Sequence, residues 1–182
     1  MLYNSANRCV MLCCGHKRSF GLGKPLEVLV GELLRMRGLR LAVAESCTGG
    51  LIGHMLTNVA GSSTYYMGSV TAYAYEAKVR ILGVSWDTLE KFGAVSAETV
   101  LEMARGVRIA LAADIGISVS GIAGPGGGTP DKPVGTTWIG VNSTKDEYAR
   151  QFLFQGDRIA VKEQAAQAAL HLLAEHLQKV YV

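Results

Sequence analysis

The chain has 182 residues, of which 49% are apolar and 18% charged, and its formal net charge is +3. This length suits a single soluble domain, and no apolar run reaches the roughly 18 residues of a membrane-spanning helix, so we expect no membrane partner. The segment before residue 25 holds four basic and no acidic residues, which leaves −1 (+3 − 4) for the remainder. The folded body therefore lacks the basic stripe that nucleic-acid binding needs.

Residues 1–24 show no sustained periodicity and are predicted to be a disordered N-terminal extension. The alternative is a metal cluster built from Cys9, Cys13, Cys14 and His16, but the adjacent cysteines are poorly placed around one tetrahedral ion, so we predict no metal and no cofactor. The cysteine spacing does not suit a disulfide framework, and no secretory leader pattern is present. These features predict a cytoplasmic location.

The body, residues 25–182, alternates helical and strand patterns. In chain order the predicted elements are a helix at 26–38, a strand at 39–44, a helix at 51–58, a strand at 66–74, a helix at 76–82, a short helix capped by Asp87, a longer helix capped by Ser96, a strand at 115–120, a hairpin of strands at 136–143 and 148–154, and a last helix capped by Asp157. This order predicts an α/β domain whose mixed sheet is covered by helices on both faces.

The first candidate site lies where the string AESCTGG follows a buried strand and opens a helix. Ser46 is placed to attack a carbonyl, while free backbone N–H groups at the helix start stabilise the developing oxyanion. Gly49 and Gly50 permit a tight turn and close approach of a ligand, and Thr48 completes the predicted contact surface. The alternative is an ordinary helix cap followed by a glycine turn, and the string alone does not decide between them.

The second candidate is the string YAYEAK at the end of a strand and the start of a helix. Lys78 near a serine can act as its base if partial burial lowers the lysine pKa. The alternative is a surface lysine, which is the usual environment of this residue type.

The third and fourth candidates are a glycine-rich loop that follows a strand and the string GDR at the start of the last helix. Gly121, Gly124, Gly126 and Gly127 are predicted to present backbone N–H groups to an anion such as phosphate. Arg158 is predicted to bind a phosphate or carboxylate with two N–H groups. The alternatives are a flexible connection and a solvated arginine beside a capping aspartate.

Taken together, the strings AESCTGGL, GSSTYY, TAYAYEAK, GAVSAET, SGIAGPGGGTPDKPVGT and GDR, which span residues 26–177, resemble the CinA C-terminal domain family. Characterised stand-alone members of this family are nicotinamide-nucleotide amidases. The resemblance implies a three-layer α/β/α fold with a mixed, mostly parallel sheet. It also implies hydrolysis of nicotinamide mononucleotide to nicotinate mononucleotide and ammonia without a metal, with Ser46 as nucleophile, Lys78 as base and Tyr73 assisting proton transfer.

The chain departs from the family pattern at two places. The family often has Ser-Asn where this chain has Ala74 and Tyr75, and Arg where it has Lys162. The competing hypothesis is a non-catalytic nucleotide-binding or regulatory module of the competence and damage-inducible type. The amidase predicts a small pyridine nucleotide as ligand, and the small, neutral surface is compatible with a homodimer.

Overall fold

A computed structural model describes residues 23–181 of the chain. The N-terminal extension is predicted to be disordered, and all of it except residues 23 and 24 lies outside the described range. The alternative metal cluster of Cys9, Cys13, Cys14 and His16 also lies outside it. Lys24, at the end of that segment, forms an exposed ion pair with Glu32 at 2.7 Å. No helix of the described part is both long and apolar enough to cross a membrane.

Six helices, five strands and one 3-10 turn make up the described chain. They are α1 (Leu26–Arg37), β1 (Leu41–Glu45), α2 (Leu51–Thr57), the 3-10 turn (Ser62–Thr64), β2 (Tyr66–Thr71), α3 (Tyr75–Leu82), α4 (Trp86–Phe92), α5 (Ala97–Ala110), β3 (Ile115–Gly121), β4 (Thr136–Ser143), β5 (Glu147–Leu153) and α6 (Arg158–Val180). Every predicted helix and strand is present, although several boundaries move by one to three residues.

The strands form one sheet in the order β2-β1-β3-β4-β5. β1 pairs in parallel with β2 and β3, whereas β4 is antiparallel to both β3 and β5. Four of the five strands therefore run in one direction, which confirms the mixed, mostly parallel sheet. Glu45 pairs with Val119, so the carboxyl ends of β1 and β3 lie side by side. This edge is where α/β sheets usually bind ligands.

Helices cover both faces of the sheet, which confirms the three-layer α/β/α architecture. Side chains alternate along β1, so Val43 faces one layer and Ala44 the other. The Val43 face packs against α1, α2 and α6, and the Ala44 face packs against α3, α4 and α5. β1 and β3 are thus buried on both sides, as the apolar run at 39–44 predicts for β1.

Two of the three predicted helix caps are confirmed. The side chains of Ser96 and Asp157 accept hydrogen bonds from the first-turn N–H groups of α5 and α6. The Asp87 cap is wrong, because the hydroxyl of Ser85 caps α4 by accepting from the Asp87 N–H at 3.2 Å. Asp87 instead lies in the first turn, where its negative charge favours the positive end of the helix dipole.

The strand predicted at 66–74 ends early, at Thr71. The next N–H, that of Ala72, still donates to the Glu45 carbonyl at 2.9 Å. The carbonyls of Ala72 and Tyr73 then turn to the ammonium group of Lys78, at 2.7 and 3.0 Å. The strand ends here because these two carbonyls accept hydrogen bonds from the Lys78 side chain and not from a neighbouring strand.

Candidate active site

Ser46 lies at the tip of the turn between β1 and α2. Its N–H donates to the Val119 carbonyl at 3.0 Å, which extends the β1–β3 ladder by one residue. The following glycines, Gly49 and Gly50, have φ values of +66° and +101°. These left-handed conformations need glycine, so the predicted tight turn is present. The Ser46 side chain is 7% exposed and lies just beneath the surface.

Glu45, to which the sequence analysis assigned no role, organises this turn. Its buried carboxylate accepts from the Thr48 hydroxyl at 2.7 Å, and from the N–H groups of Gly50 at 2.9 Å and Ile52 at 3.2 Å through the same oxygen. Its other oxygen accepts from the Gly53 N–H at 2.9 Å. The expectation that the N–H groups at the start of α2 are free is therefore wrong for three of them.

Two N–H groups of the turn do stay available. Those of Cys47 and Thr48 donate to no backbone carbonyl within residues 23–181, and the group they face is the Cys47 sulfur, whose pKa they lower. They directly follow Ser46, so an oxyanion held at this turn has the donors it needs one and two residues after the nucleophile. The Thr48 hydroxyl donates to Glu45, so a hydrogen bond that Thr48 donates to a substrate has to come from its backbone N–H.

We expect Glu45→Gln to destabilise the protein strongly. The glutamine oxygen can still accept the three hydrogen bonds that one carboxylate oxygen accepts now, but those bonds no longer involve a charged acceptor. The glutamine NH2 group takes the place of the other oxygen and faces the Gly53 N–H, so two donors meet and neither is satisfied. A buried donor left unpaired costs about 1–3 kcal/mol, which with the weaker bonds lowers the Tm by roughly 5–10 °C. Thermal unfolding beside the exposed control Glu90→Gln measures this, and equal Tm values would contradict the organising role.

Lys78 reaches the nucleophile from the start of α3. Its ammonium nitrogen lies 3.1 Å from the Ser46 Oγ, and the side chain has no solvent exposure. The alternative of a surface lysine is therefore wrong. Burial lowers the pKa of Lys78 from 10.5 to about 8, against the opposing effect of the neighbouring Cys47. At pH 7 about a tenth of such a group is the neutral amine.

The contacts of Lys78 suit a base. A neutral amine has two N–H donors and one lone pair, and its three contacts are two carbonyls and one hydroxyl. If the two N–H groups donate to Ala72 and Tyr73, the lone pair faces the Ser46 hydroxyl. The backbone thereby orients the amine toward the one proton that it has to accept.

The Tyr73 hydroxyl does not contact Ser46 or Lys78 through a hydrogen bond. The side chain is 61% exposed, and its oxygen accepts from Arg158 Nη2 at 2.9 Å. The other terminal nitrogen of Arg158 donates to the Gly124 carbonyl at 2.7 Å. The structure thus brings Tyr73, Arg158 and the glycine-rich loop together at the mouth of the site. Assistance of proton transfer by Tyr73 stays a prediction.

The glycines of the loop between β3 and β4 have different environments. Gly121 is the last residue of β3, and a Cβ there would lie 2.5 Å from the Thr137 hydroxyl, so packing explains this glycine. The exposed Gly126 and Gly127 donate no backbone hydrogen bond to another described residue. Their N–H groups are free to bind an anion, as is the N–H of the equally exposed Gly128.

A cavity of about 370 Å³ lies beside the Ser46 turn. Its lining residues are Thr48, Gly49, Gly50, Leu51, His54, Ile159, Lys162 and Glu163. The Lys162 ammonium approaches the turn so closely that a Cβ at Gly49 would lie 3.8 Å from it. His54 adds an imidazole that the sequence analysis missed, although its position four residues after Gly50 on a helix predicts that it shares this face.

Cys47 is a poor second nucleophile. Burial is the main cause that raises the pKa of its thiol to about 11, so the thiol is protonated at neutral pH. Within the described chain, no group of three or more His, Cys, Asp and Glu side chains is arranged to hold a metal ion.

Known proteins are similar to this chain in sequence and in fold. A family model described as CinA C-terminal domain matches residues 23–177. CinA-like proteins of Salinibacter ruber and Chloroherpeton thalassium are 53% and 50% identical over 80% and 84% of this chain, which spans only 35% and 37% of their lengths. A competence damage-inducible protein A from Klebsiella pneumoniae superposes with a TM-score of 0.82 at 38% identity, covering 85% of this chain and 96% of that one. A competence/damage inducible protein from Agrobacterium tumefaciens gives 0.80 at 34%, covering 88% and 100%.

Proposed function

The chain belongs to the CinA C-terminal domain family, and on that premise we propose that it hydrolyses the carboxamide of nicotinamide mononucleotide to nicotinate mononucleotide and ammonia. One observation carries the proposal: a fully buried lysine of lowered pKa lies 3.1 Å from a serine hydroxyl at the ligand-binding edge of the sheet. Burying a lysine is costly, and this arrangement uses it as a base.

The reaction follows from the contacts of Ser46. Neutral Lys78 takes the hydroxyl proton as the oxygen attacks the amide carbon, and the N–H groups of Cys47 and Thr48 stabilise the oxyanion. The protonated Lys78 then gives its proton to the leaving nitrogen, which departs as ammonia and leaves an ester on Ser46. A water molecule, activated by the same amine, hydrolyses that ester and releases the carboxylate.

The nucleotide part of the substrate distinguishes it from free nicotinamide. We assign its phosphate to the free N–H groups of Gly126 and Gly127 and to Arg158, which already joins this loop to Tyr73. The cavity beside Lys162 is the second candidate for the phosphate, because it offers a cation next to the same turn. The substrate is a cytoplasmic metabolite in this proposal, and the small, neutral surface is compatible with a homodimer.

The competing function is a non-catalytic nucleotide-binding or regulatory module, in keeping with the competence and damage names of the structural relatives. Such a module gains nothing from the contact between Lys78 and Ser46. Ammonia release on mixing the protein with nicotinamide mononucleotide separates the two functions.

We expect Arg158→Ala to narrow the preference for the nucleotide over free nicotinamide. The substitution removes a charged donor pair from the loop, while the amide-reacting groups stay in place. A charge-assisted hydrogen bond is worth about 1.5–3 kcal/mol, so kcat/KM for the nucleotide should fall roughly tenfold to a hundredfold, with little change for nicotinamide. The matched control is Arg150→Ala, which removes an exposed arginine paired with Glu175. An unchanged ratio in Arg158→Ala would remove only Arg158 from the phosphate site and leave the glycine-rich loop or Lys162.

A further inference from the structure

The turn between α4 and α5, at 93–96, belongs to the string GAVSAET and has no role in the chemistry above. It lies between the helix that carries Lys78 and the glycine-rich loop. On one side the hydroxyl of Tyr75, the first residue of α3, accepts from the Ala94 N–H at 3.3 Å. On the other side Lys132, near the end of the glycine-rich loop, donates at 2.7 Å to the carbonyl of Phe92, the residue directly before the turn. The turn and the end of α4 therefore connect the helix that carries Lys78 to the glycine-rich loop.

The turn itself is firmly held. The Gly93 carbonyl accepts from the hydroxyls of Ser96 at 3.0 Å and Thr99 at 2.8 Å, and both side chains are buried. Gly93 has a φ of +75°, which ends α4 in a conformation that favours glycine. A residue that contacts this turn is consequently held in a fixed position relative to α5.

Lys132 contacts the turn at a favourable place. Phe92 is the last residue of α4, where backbone carbonyls have no helical partner and the helix dipole is negative. Lys132 also closes a small turn with Thr129, through its carbonyl at 2.9 Å and its N–H at 3.1 Å. The loop is thus held at Gly124 by Arg158 and at Lys132 by α4, with the exposed glycines between the two anchors.

We infer that Lys132 is a positioning residue, which anchors the glycine-rich loop to the end of α4 so that its free N–H groups face the substrate. The substrate part of this inference rests on the proposed function, whereas the anchor itself does not. Without the anchor the loop samples more conformations, and binding has to restrict them. The effect therefore falls on KM for the nucleotide and leaves kcat nearly unchanged.

The test compares Lys132→Met with Lys91→Met. Both remove one lysine charge near the end of α4, but Lys91 lies over the Phe92 ring, is exposed and does not contact the loop. Hydrogen exchange of the peptide covering 122–131 is measured without substrate, beside KM and kcat for nicotinamide mononucleotide. We expect faster loop exchange and a KM about tenfold higher in Lys132→Met only, with kcat within about twofold. Lys132→Arg, which keeps a donor, should restore both.

The outcomes separate the two proposals. Wild-type loop exchange in Lys132→Met overturns the anchor, and faster exchange with an unchanged KM overturns the positioning role. Faster exchange in a protein whose wild type releases no ammonia supports the anchor and contradicts the amidase. If Lys132→Met does not fold, Lys132→Ala, which also lacks the donor, replaces it: faster loop exchange and a higher KM than wild type support the inference, and wild-type values for both overturn it.

Discussion

Ser46→Ala should abolish hydrolysis of nicotinamide mononucleotide and leave the fold intact. Removal of the hydroxyl deletes the atom that forms the ester, and loss of a nucleophile commonly lowers kcat by about a thousandfold or more. The backbone contacts that hold the turn, including the bond to Val119 and the four bonds to Glu45, do not involve this hydroxyl. The Tm should therefore stay within a few degrees of the wild type.

Two controls make the Ser46→Ala result specific. Ser63→Ala removes an exposed hydroxyl from the same domain and should leave kcat unchanged. Cys47→Ala tests the neighbouring thiol, whose pKa is raised to about 11 by burial, and should retain most of the activity. Near-normal ammonia release by Ser46→Ala, together with loss of ammonia release in Cys47→Ala, would make Cys47 the nucleophile in place of Ser46.

Lys78→Met should have an effect on kcat close to that of Ser46→Ala, and Lys78→Arg should not restore activity. Methionine keeps the length of the buried side chain but has no lone pair of sufficient basicity, and arginine stays protonated at neutral pH. The wild-type kcat/KM should rise about tenfold per pH unit below pH 8 and level off above it, because the pKa of Lys78 is lowered to about 8. An active Lys78→Arg protein would leave the lysine only an electrostatic role.

The stability of the wild type and Lys78→Met should depend on pH in different ways. The pKa of Lys78 is about 8 in the folded state, against an ordinary value of 10.5, so between these pH values the unfolded chain binds the proton and the folded protein does not. Stability therefore rises with pH through this window, by roughly 3 kcal/mol, and the cost is fully present below pH 8. The difference between the two unfolding curves isolates this contribution, and parallel curves would contradict a lowered pKa.

Local sequence signals predicted the helix and strand framework well. The left-handed Gly38 at the end of α1 and the caps at Ser96 and Asp157 depend on neighbours within a few residues, so the sequence pattern contains them. The pairing of Ser46 with Lys78 spans 32 residues. Its prediction came from the resemblance to a known family, because residue spacing alone does not bring a serine and a lysine together.

The contacts that local patterns missed depend on the folded sheet, or on a choice between two residues that both favour the same position. Arg158 and Tyr73 are 85 residues apart and meet only because α6 returns to the carboxyl end of the sheet. Glu45 shows a different limit, since the AESCTGG string predicts a site at Ser46 but indicates no role for the glutamate. Glu45 ends β1, six residues before α2 begins, so only the fold of the turn brings its carboxylate to the N–H groups at the start of the helix. The cap of α4 required a choice between Ser85 and Asp87, two residues that both favour this position.

The most direct measurement of the central claim mixes purified wild-type protein and Ser46→Ala with nicotinamide mononucleotide and quantifies ammonia and nicotinate mononucleotide together. We predict equal molar amounts of the two products from the wild type, at a rate about a thousandfold or more above that of the variant. Absence of both products from folded wild-type protein, or equal rates from the two proteins, would contradict an amidase centred on Ser46 and Lys78.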